Sequence, residues 1–177
     1  MLKTYCGQPK NEAIMIKHRI LSLFANIGVA EAYLEELGND VVVANELDPK
    51  RAALYQKIYP KTKMVCGDIT DSTTFESIMS ISHKEGVNCV IATPPCQGMS
   101  TAGRQKKFDV RHDLFRYALK AVNEGKPEYV LIENVTGFLK THVMYENEPK
   151  LITDVVVKEI GDDYIVNFYS INARDYE

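Results

Sequence analysis

The 177-residue sequence has no long apolar run, no paired metal-binding motif and no excess of basic residues. Its longest apolar stretches are too short to span a bilayer, and the polar segment from Met1 to His18 lacks the apolar core of a signal peptide. The four cysteines include no C-x-x-C pair and the four histidines show no ligand spacing, which argues against a zinc site. These absences predict a protein of the reducing cytoplasm, with free thiols and no metal.

The lack of a net positive charge restricts how the chain can bind a nucleic acid. Its formal net charge is −3. A self-sufficient nucleic-acid binder usually has a basic surface, because neutralising phosphates dominates its affinity. The chain therefore does not bind nucleic acid, binds it through a local patch, or lacks the part that does.

Two phosphate-binding motifs are also missing. No Walker lysine follows the first strand-to-helix turn, and the full G-x-G-x-x-G pattern is absent. ATP hydrolysis and binding of a phosphate-rich dinucleotide are both disfavoured as a result.

The sequence does contain the alternating pattern of an α/β protein. Its length suits one domain, and its 45% apolar content suits a globular one. Strands are predicted over residues 19–24, 41–44, 63–66, 88–92, 128–132 and 164–171. Helices are predicted over residues 29–37, 50–58, 111–123 and 150–160, and a further helix runs to about Lys84 from a cap at Ser72 or Thr73. This alternation predicts a largely parallel sheet covered by helices on both faces, with a ligand beyond the carboxyl ends of the strands.

Polar residues stand where the first three strands end. The turn Phe24-Ala-Asn-Ile-Gly28 could bring backbone amides close to a ligand, or could be an ordinary strand-to-helix connection. Glu46 follows it by about twenty residues, which is the spacing of a carboxylate that accepts from ribose hydroxyls. Asp68 could accept from an adenine amino group or cap a helix. In combination, the turn, Glu46 and Asp68 favour a site for an adenosine-containing ligand over separate structural roles for each of them.

Cys96 and Glu133 end the next two predicted strands. Cys96 follows Pro94 and Pro95, which remove backbone donors and restrict the direction of the chain, as suits a side chain that must be aimed. Free cysteine is often simply buried, so packing is the alternative for Cys96. Glu133 follows an apolar run, where burial would raise its pKa and make it a proton donor near neutrality. Its alternative is a hydrogen-bonded structural acid.

In order along the chain, these segments resemble the signature blocks of the cytosine-C5 DNA methyltransferases. The matching segments are Leu23–Gly28, Glu46-Leu47-Asp48, Gly67-Asp68-Ile69, Pro94-Pro95-Cys96-Gln97, Asp109–Phe115, Glu133-Asn134-Val135 and Asn172–Tyr176. The resemblance implies a Rossmann-like S-adenosylmethionine-dependent methyltransferase fold, incomplete at its C-terminal end. Residues 1–18 would be an extension and residues 19–177 a partial catalytic domain.

The resemblance also implies a covalent mechanism. Cys96 would add to C6 of a cytosine flipped out of double-stranded DNA, and Glu133 would protonate or hydrogen-bond N3. S-adenosylmethionine would donate the methyl group and leave as S-adenosylhomocysteine. The family's cofactor positions correspond to Phe24, Asn26, Ile27, Gly28, Glu46, Leu47, Asp68, Ile69, Pro94 and Leu114. Its substrate positions correspond to Pro95, Gln97, Ser100, Arg104, Asn134 and Val135, with the loop from Gln97 to about Val110 closing over the DNA.

The sequence departs from the family at three points, of which the smallest is Thr93, where the family usually has a glycine two residues before Pro95. Asn26 and Val29 stand where the first block usually carries glycines, and asparagine tolerates the left-handed conformation that such a turn needs. The sequence also stops at Glu177, before the family's arginine-bearing block, its target-recognition region and its closing helix.

These departures lead to the expectation of a restriction-modification methylase that is a fragment or one subunit of a split enzyme, inactive alone and completed by a C-terminal segment or subunit. The related tRNA cytosine-C5 methyltransferases and a non-catalytic S-adenosylmethionine-binding or assembly module are the alternatives.

Overall fold

A five-stranded parallel sheet forms the centre of the molecule. A computed structural model describes residues 17–95 and 114–176 of the chain. The strands of the sheet are β1 (Arg19–Leu23), β2 (Asp40–Glu46), β3 (Lys63–Cys66), β4 (Cys89–Ala92) and β5 (Tyr129–Ile132). They lie in the order β3-β2-β1-β4-β5, and every neighbouring pair is parallel. The predicted parallel α/β architecture is therefore confirmed.

Helices and one hairpin complete the fold. The helices are α1 (Pro49–Ile58), α2 (Ser72–Glu85), α3 (Leu114–Gly125) and α4 (Ile152–Ile160). The antiparallel hairpin consists of β6 (His142–Tyr145) and β7 (Glu148–Leu151), and short 3-10 helices cover Thr136–Lys140 and Ala173–Tyr176. In the part of the chain that the structure describes, no helix is long and apolar enough to cross a membrane.

The main hydrophobic core lies on one face of the sheet, beneath α2, α3 and α4. Strand residues that point to this face, such as Leu21, Val43 and Val90, pack with the buried stripe of α3 that includes Phe115 and Leu119. Apolar side chains spaced three or four apart place one face of a helix on the sheet. This layer accounts for most of the buried apolar surface.

The opposite face of the sheet has a smaller core. Side chains alternate across a strand, so Ala44 points away from its neighbour Val43 and packs with Ala25 and Tyr55 of α1. Helices do therefore lie on both faces, as predicted, but unequally.

Strand β5 is an edge strand with one uncovered face. Val130 and Ile132 pack against the main core, whereas Tyr129 and Leu131 point to the other face and are about half exposed. No strand pairs with the outer edge of β5 among residues 17–95 and 114–176. Within the described residues, the sheet thus ends at β5 with an unpaired outer edge and a half-exposed apolar face, on which the Tyr129 ring contacts His18.

The predicted helix over residues 29–37 was wrong. Residues 26–38 instead form a run of turns, with hydrogen bonds such as Leu34 N–H to Glu31 O and Leu37 N–H to Tyr33 O. Val29, Tyr33 and Leu37 have helical spacing, but all three are exposed. Helical stability comes mostly from packing an apolar face, and these side chains pack on nothing in the described structure.

The predicted strand over residues 164–171 was also wrong. This segment has no regular secondary structure, and Ile165, Tyr169 and Ile171 are exposed. Tyr164 is anchored, because its hydroxyl donates to Pro127 O at 2.7 Å. A β-prone sequence becomes a strand only with a partner to hydrogen-bond to, and no described residue provides one here.

Smaller differences concern helix boundaries. Helix α4 begins at Ile152 rather than Lys150, because Lys150 belongs to the hairpin strand β7. Asp71, not Ser72 or Thr73, caps α2, and its side chain accepts from Thr74 N–H at 2.9 Å. Aspartate is among the strongest N-cap residues, so it fills this role ahead of its hydroxyl neighbours.

The one-sided burial of β5 predicts unequal costs for the same substitution at two leucines. Leu119→Ala empties a buried site, with the side chain 2% exposed, and should lower the free energy of unfolding by about 2–5 kcal/mol. Leu131→Ala, at 56% exposure, should cost less than about 1 kcal/mol. Urea denaturation of the two variants measures both values, and equal losses would show that Leu131 is covered in solution.

Candidate active site

The carboxyl ends of all five strands meet at one edge of the sheet. The chain runs outward from β1 through β2 to β3, and then crosses to β4 and β5 on the other side of β1. In open α/β sheets, this reversal leaves a crevice beyond the strands on either side of it, here β1 and β4. The residues after these strands are the ones predicted to hold a ligand.

The turn after β1 has an unusual backbone. Phe24, Asn26 and Gly28 all have positive φ angles, of 60°, 53° and 84°. A Cβ atom on Gly28 would lie 2.1 Å from Cε2 of Tyr59, so any larger residue would have to displace this ring as well as adopt the positive φ. The Tyr59 hydroxyl donates to Gly28 O at 2.6 Å. The backbone N–H groups of Ile27 and Val29 have no acceptor among the described residues, so both can donate to a ligand.

Glu46 joins this turn to the turn after β2. Its Oε2 accepts from Asn26 N–H and its Oε1 from Asp48 N–H, each at 2.9 Å. The residue is only 6% exposed. A carboxylate offers about four acceptor positions, so two remain for hydroxyl donors such as those of a ribose. The predicted binding residue thus also holds the turn in place.

Asp68 and its neighbours follow β3. Asp68 is exposed, and its Oδ1 accepts from the N–H and the hydroxyl of Thr70 at 2.9 and 2.8 Å. It makes a turn of its own and does not cap α2. Leu47 is largely exposed and could cover a flat ligand, whereas Ile69 is buried in the main core. The Ile69 side chain therefore presents little surface to the crevice.

The end of β4 is tied to the end of β1. Thr93 donates through its N–H to Leu23 O at 3.2 Å and through its hydroxyl to Phe24 O at 3.1 Å. Pro94 is buried and Pro95 is exposed. Because proline restricts φ, Pro94 and Pro95 limit the direction in which the chain leaves the sheet. The hydrogen bonds of Thr93 fix the start of this segment against the end of β1.

The end of β5 holds the same segment from the other side. Glu133 N–H donates to Ala92 O at 3.0 Å, and the Asn134 side-chain amide donates to Pro94 O at 2.9 Å. The Asn134 amide oxygen accepts from Val135 N–H at 2.9 Å. The predicted segments Pro94-Pro95 and Glu133-Asn134-Val135 are therefore joined by one direct hydrogen bond, from Asn134 to Pro94.

The expected burial of Glu133 was wrong, because this residue is exposed. It follows an edge strand that is covered on one face only, whereas the expectation assumed a strand covered on both. The position of Glu133 at the carboxyl edge does agree with the prediction.

Four predicted site residues, Cys96, Gln97, Ser100 and Arg104, lie outside the described residues. Pro95 and Leu114 are the described residues on either side of that segment. Leu114 is half-buried, packs against the main core and begins α3.

One residue that helps to build the site, Asn45, was not singled out from the sequence. The Asn45 amide donates to Val65 O and Gly67 O at 2.9 and 3.1 Å, which ties β2 to β3. Thr93 was noted from the sequence only as standing in place of a glycine, and the structure shows that it ties β4 to β1. The sequence contains one indication of this role for Asn45, which is a polar residue directly after a run of apolar strand residues. A polar side chain buried at such a position needs hydrogen-bond partners.

The arrangement provides carboxylate acceptors and free backbone amide donors, which suit a polar ligand that carries hydroxyl and amino groups. Residues 17–95 and 114–176 contain no group of three histidine, cysteine, aspartate or glutamate side chains that could hold a metal ion.

Two solved structures share this fold. A protein from Escherichia coli described as a prophage-encoded DNA modification methyltransferase superposes with a TM-score of 0.65 and 24% identity, over 84% of this chain and 39% of that one. DNMT2 of Spodoptera frugiperda gives a TM-score of 0.59 and 22% identity, over 82% and 41%. The chain therefore shares the Rossmann-like fold of these two proteins.

Sequence comparison identifies the family. The family described as C-5 cytosine-specific DNA methylase matches residues 18–177, so the chain belongs to this family. Type II methyltransferase M1.HgaI of Avibacterium volantium is 42% identical over 88% of this chain and 45% of its own length. M.XorII of Xanthomonas oryzae is 31% identical over 88% of this chain and 36% of its own length. M.AquIA of a Picosynechococcus is 29% identical over 91% of this chain and 67% of its own length. The chain thus spans less than half of the first two relatives.

The tight fit at Gly28 predicts that two left-handed glycines will respond differently to alanine. Gly86→Ala meets no atom within 4 Å and should cost only the backbone strain, about 1–2 kcal/mol. Gly28→Ala must also displace Tyr59, so it should cost roughly 1–3 kcal/mol more. Urea denaturation measures the difference, and equal costs would mean that Tyr59 does not hold this turn.

Proposed function

We propose that the chain is the cofactor-binding and catalytic part of a DNA methyltransferase that methylates C5 of cytosine, as in a restriction-modification system. The observation that carries the proposal is the pairing of Pro94-Pro95 with Glu133-Asn134 through the 2.9 Å bond between Asn134 and Pro94. This pairing supports placing the proposed nucleophile, Cys96, beside the proposed acid, Glu133. Residues 19–177 would form that part of the catalytic domain.

The residues of the crevice fit S-adenosylmethionine as the cofactor. Glu46 keeps two acceptor positions that suit the ribose hydroxyls, and the amides of Ile27 and Val29 suit the carboxylate of the methionine part. Leu47 could lie against the adenine, and Asp68 could accept from its amino group. When bound, the cofactor supplies an electrophilic methyl group and leaves as S-adenosylhomocysteine.

The proposed chemistry starts at Cys96. Its thiolate forms a bond to C6 of the cytosine, and the electron pair of the C5–C6 double bond moves toward C5. Glu133 donates a proton or a hydrogen bond to N3 and stabilises the charge that develops on the ring. After C5 has taken up the methyl group, a base removes the C5 proton, the double bond re-forms and Cys96 leaves. The mechanism needs a reduced thiol and hence a reducing compartment such as the cytoplasm.

The proposed substrate is double-stranded DNA with the target cytosine flipped out, because base chemistry needs access to atoms inside the stack. The remaining proposed substrate contacts are Gln97, Ser100, Arg104 and Val135.

We also propose a complementary C-terminal segment or subunit as a partner. Its support is the open edge and face of β5, the exposed β-prone segment over residues 164–171, and the greater length of the first relatives. An open strand edge with exposed apolar residues is a surface that another strand can extend.

The covalent step is tested with 5-fluorocytosine in DNA, using the protein together with the C-terminal part. With S-adenosylmethionine present, C5 takes up the methyl group, but fluorine cannot then leave as the proton does, so Cys96 should stay attached and the adduct should survive denaturing electrophoresis. Cys96→Ala should give no adduct, and Glu133→Gln should slow its formation by about 10²–10⁴-fold. Cys89→Ala, a half-buried thiol on β4, is the matched control and should react normally. An adduct that persists in Cys96→Ala would rule out Cys96, and faster reaction with tRNA would favour the tRNA enzymes.

The partner proposal predicts that the C-terminal part is needed for activity. The 177-residue chain alone should transfer no methyl group to DNA above background, and adding the C-terminal part as a separate polypeptide should restore transfer. Leu131→Lys should reduce this restoration, because a charge on the open face of β5 would disfavour apolar packing. Full turnover by the chain alone would contradict the proposal.

A further inference from the structure

A buried polar group lies beneath the first turn, on the face of the sheet that α1 covers. The group consists of Ser22 on β1, Glu31 in the run of turns and Tyr55 on α1. Ser22 and Glu31 are each 2% exposed and Tyr55 is 0% exposed. The Ser22 hydroxyl donates to Oε1 of Glu31. Oε2 of Glu31 is buried and has no hydrogen-bond partner in the described structure. A glutamate with one partner at such depth is costly to bury, so its presence calls for a reason.

The hydrogen bond between Ser22 and Glu31 encloses the first turn. The two residues are nine apart, and the backbone between them contains the three positive φ angles at Phe24, Asn26 and Gly28. Non-glycine residues in this region cost free energy and persist only when their surroundings impose the conformation. The bond closes the loop at its base and so provides part of that constraint.

Glu31 also holds the turn through its backbone. Its N–H donates to Gly28 O at 3.3 Å, and the same carbonyl accepts from the Tyr59 hydroxyl. Gly28 is thus fixed from two sides. The Glu31 N–H that bonds Gly28 is itself held in place, because the Glu31 carboxyl group accepts a hydrogen bond from Ser22 of β1.

The groups that face the Glu31 carboxyl are neutral. They are Ser22 of β1 and the phenols of Tyr55 and Tyr59 at the end of α1. No lysine, arginine or histidine in residues 17–95 and 114–176 forms an ion pair with it. Burial raises the pKa of Glu31 above its ordinary value of 4.5, and the hydrogen bond from Ser22 offsets only part of this.

We propose that Glu31 is a positioning residue for the cofactor, which acts through Ser22 and Gly28 to hold the first turn in its strained, binding-competent form. This inference rests on the proposed function for the statement that the turn binds S-adenosylmethionine. The anchoring itself is a property of the chain.

Amide hydrogen exchange of the 177-residue chain tests the anchoring without any cofactor. Glu31→Ala removes the link to Ser22, so protection of the amides over residues 25–31 should fall by about tenfold relative to the rest of the sheet. Glu31→Gln keeps an acceptor for Ser22 without the charge, so it should retain the native protection within about threefold. Unchanged protection in Glu31→Ala, or equal loss in both variants, overturns the proposal.

Glu35→Gln is the matched control, because Glu35 lies in the same segment but is exposed and paired with Lys61. It should leave exchange over residues 25–31 unchanged. A loss equal to that of Glu31→Ala would show that any change in this segment loosens the turn, and would also overturn the proposal.

The raised pKa of Glu31 gives a second measurement. The folded chain holds the Glu31 proton more tightly than the unfolded chain, so stability falls as pH rises from about 4.5 to the folded-state pKa. Glu31→Gln removes this contribution, so its stability relative to the native chain should increase over that pH range and then level off. The Glu35→Gln difference should show no such rise. A pH-independent difference for Glu31→Gln would show that the native carboxyl is not buried as described.

Binding of S-adenosylhomocysteine, measured with the C-terminal part present, distinguishes the anchoring role of Glu31 from the proposed function. Its dissociation constant should rise by about tenfold in Glu31→Ala and by less than threefold in Glu31→Gln and Glu35→Gln. If no form binds the compound while exchange still distinguishes the variants, the proposed function fails and the anchoring role stands. If all forms bind it equally, Glu31 does not position the cofactor.

Discussion

Hydrogen bonds across the ends of neighbouring strands hold the candidate site together. Asn45 joins β2 to β3, Glu46 joins the turns after β1 and β2, Thr93 joins β1 to β4, and Asn134 joins the segments after β4 and β5. These side-chain bonds supplement the sheet's own ladder at and just beyond the ends of the strands. Because each bond uses a backbone group as donor or acceptor, the turns keep their shape without help from a ligand.

The two faces of the sheet have different roles in this arrangement. The face under α2, α3 and α4 contains most of the buried apolar surface and so provides the stability. The other face has a small core around Tyr55 of α1, and near it lies the polar pair of Ser22 and Glu31. Beyond α1 this face is open at Tyr129 and Leu131. The shape of the first turn thus depends on a thinly packed layer, where a single buried carboxyl group has a large influence.

Much of the fold followed from local patterns, and the failures share one cause. The core strands and the placement of Glu46 at the end of β2 were predicted because β-branched runs and polar strand ends are local features. The helix over residues 29–37 and the strand over residues 164–171 needed a surface to pack on or a strand to pair with, which no local pattern reveals. The burial of Glu133 failed for the same reason, since it depended on which strand lies at the edge.

The sequence by itself determined which chemical groups stand at the strand ends, because strand period, proline and glycine act over a few residues. It placed Glu46, Pro94 and Glu133 at one edge of a parallel sheet. Only the tertiary structure decided what those groups touch: that Glu46 accepts from two backbone amides, that Asn134 holds Pro94, and that Glu31 is buried against Ser22. Burial and hydrogen-bond partners come from segments far apart in sequence, and the order of the strands sets which of them meet.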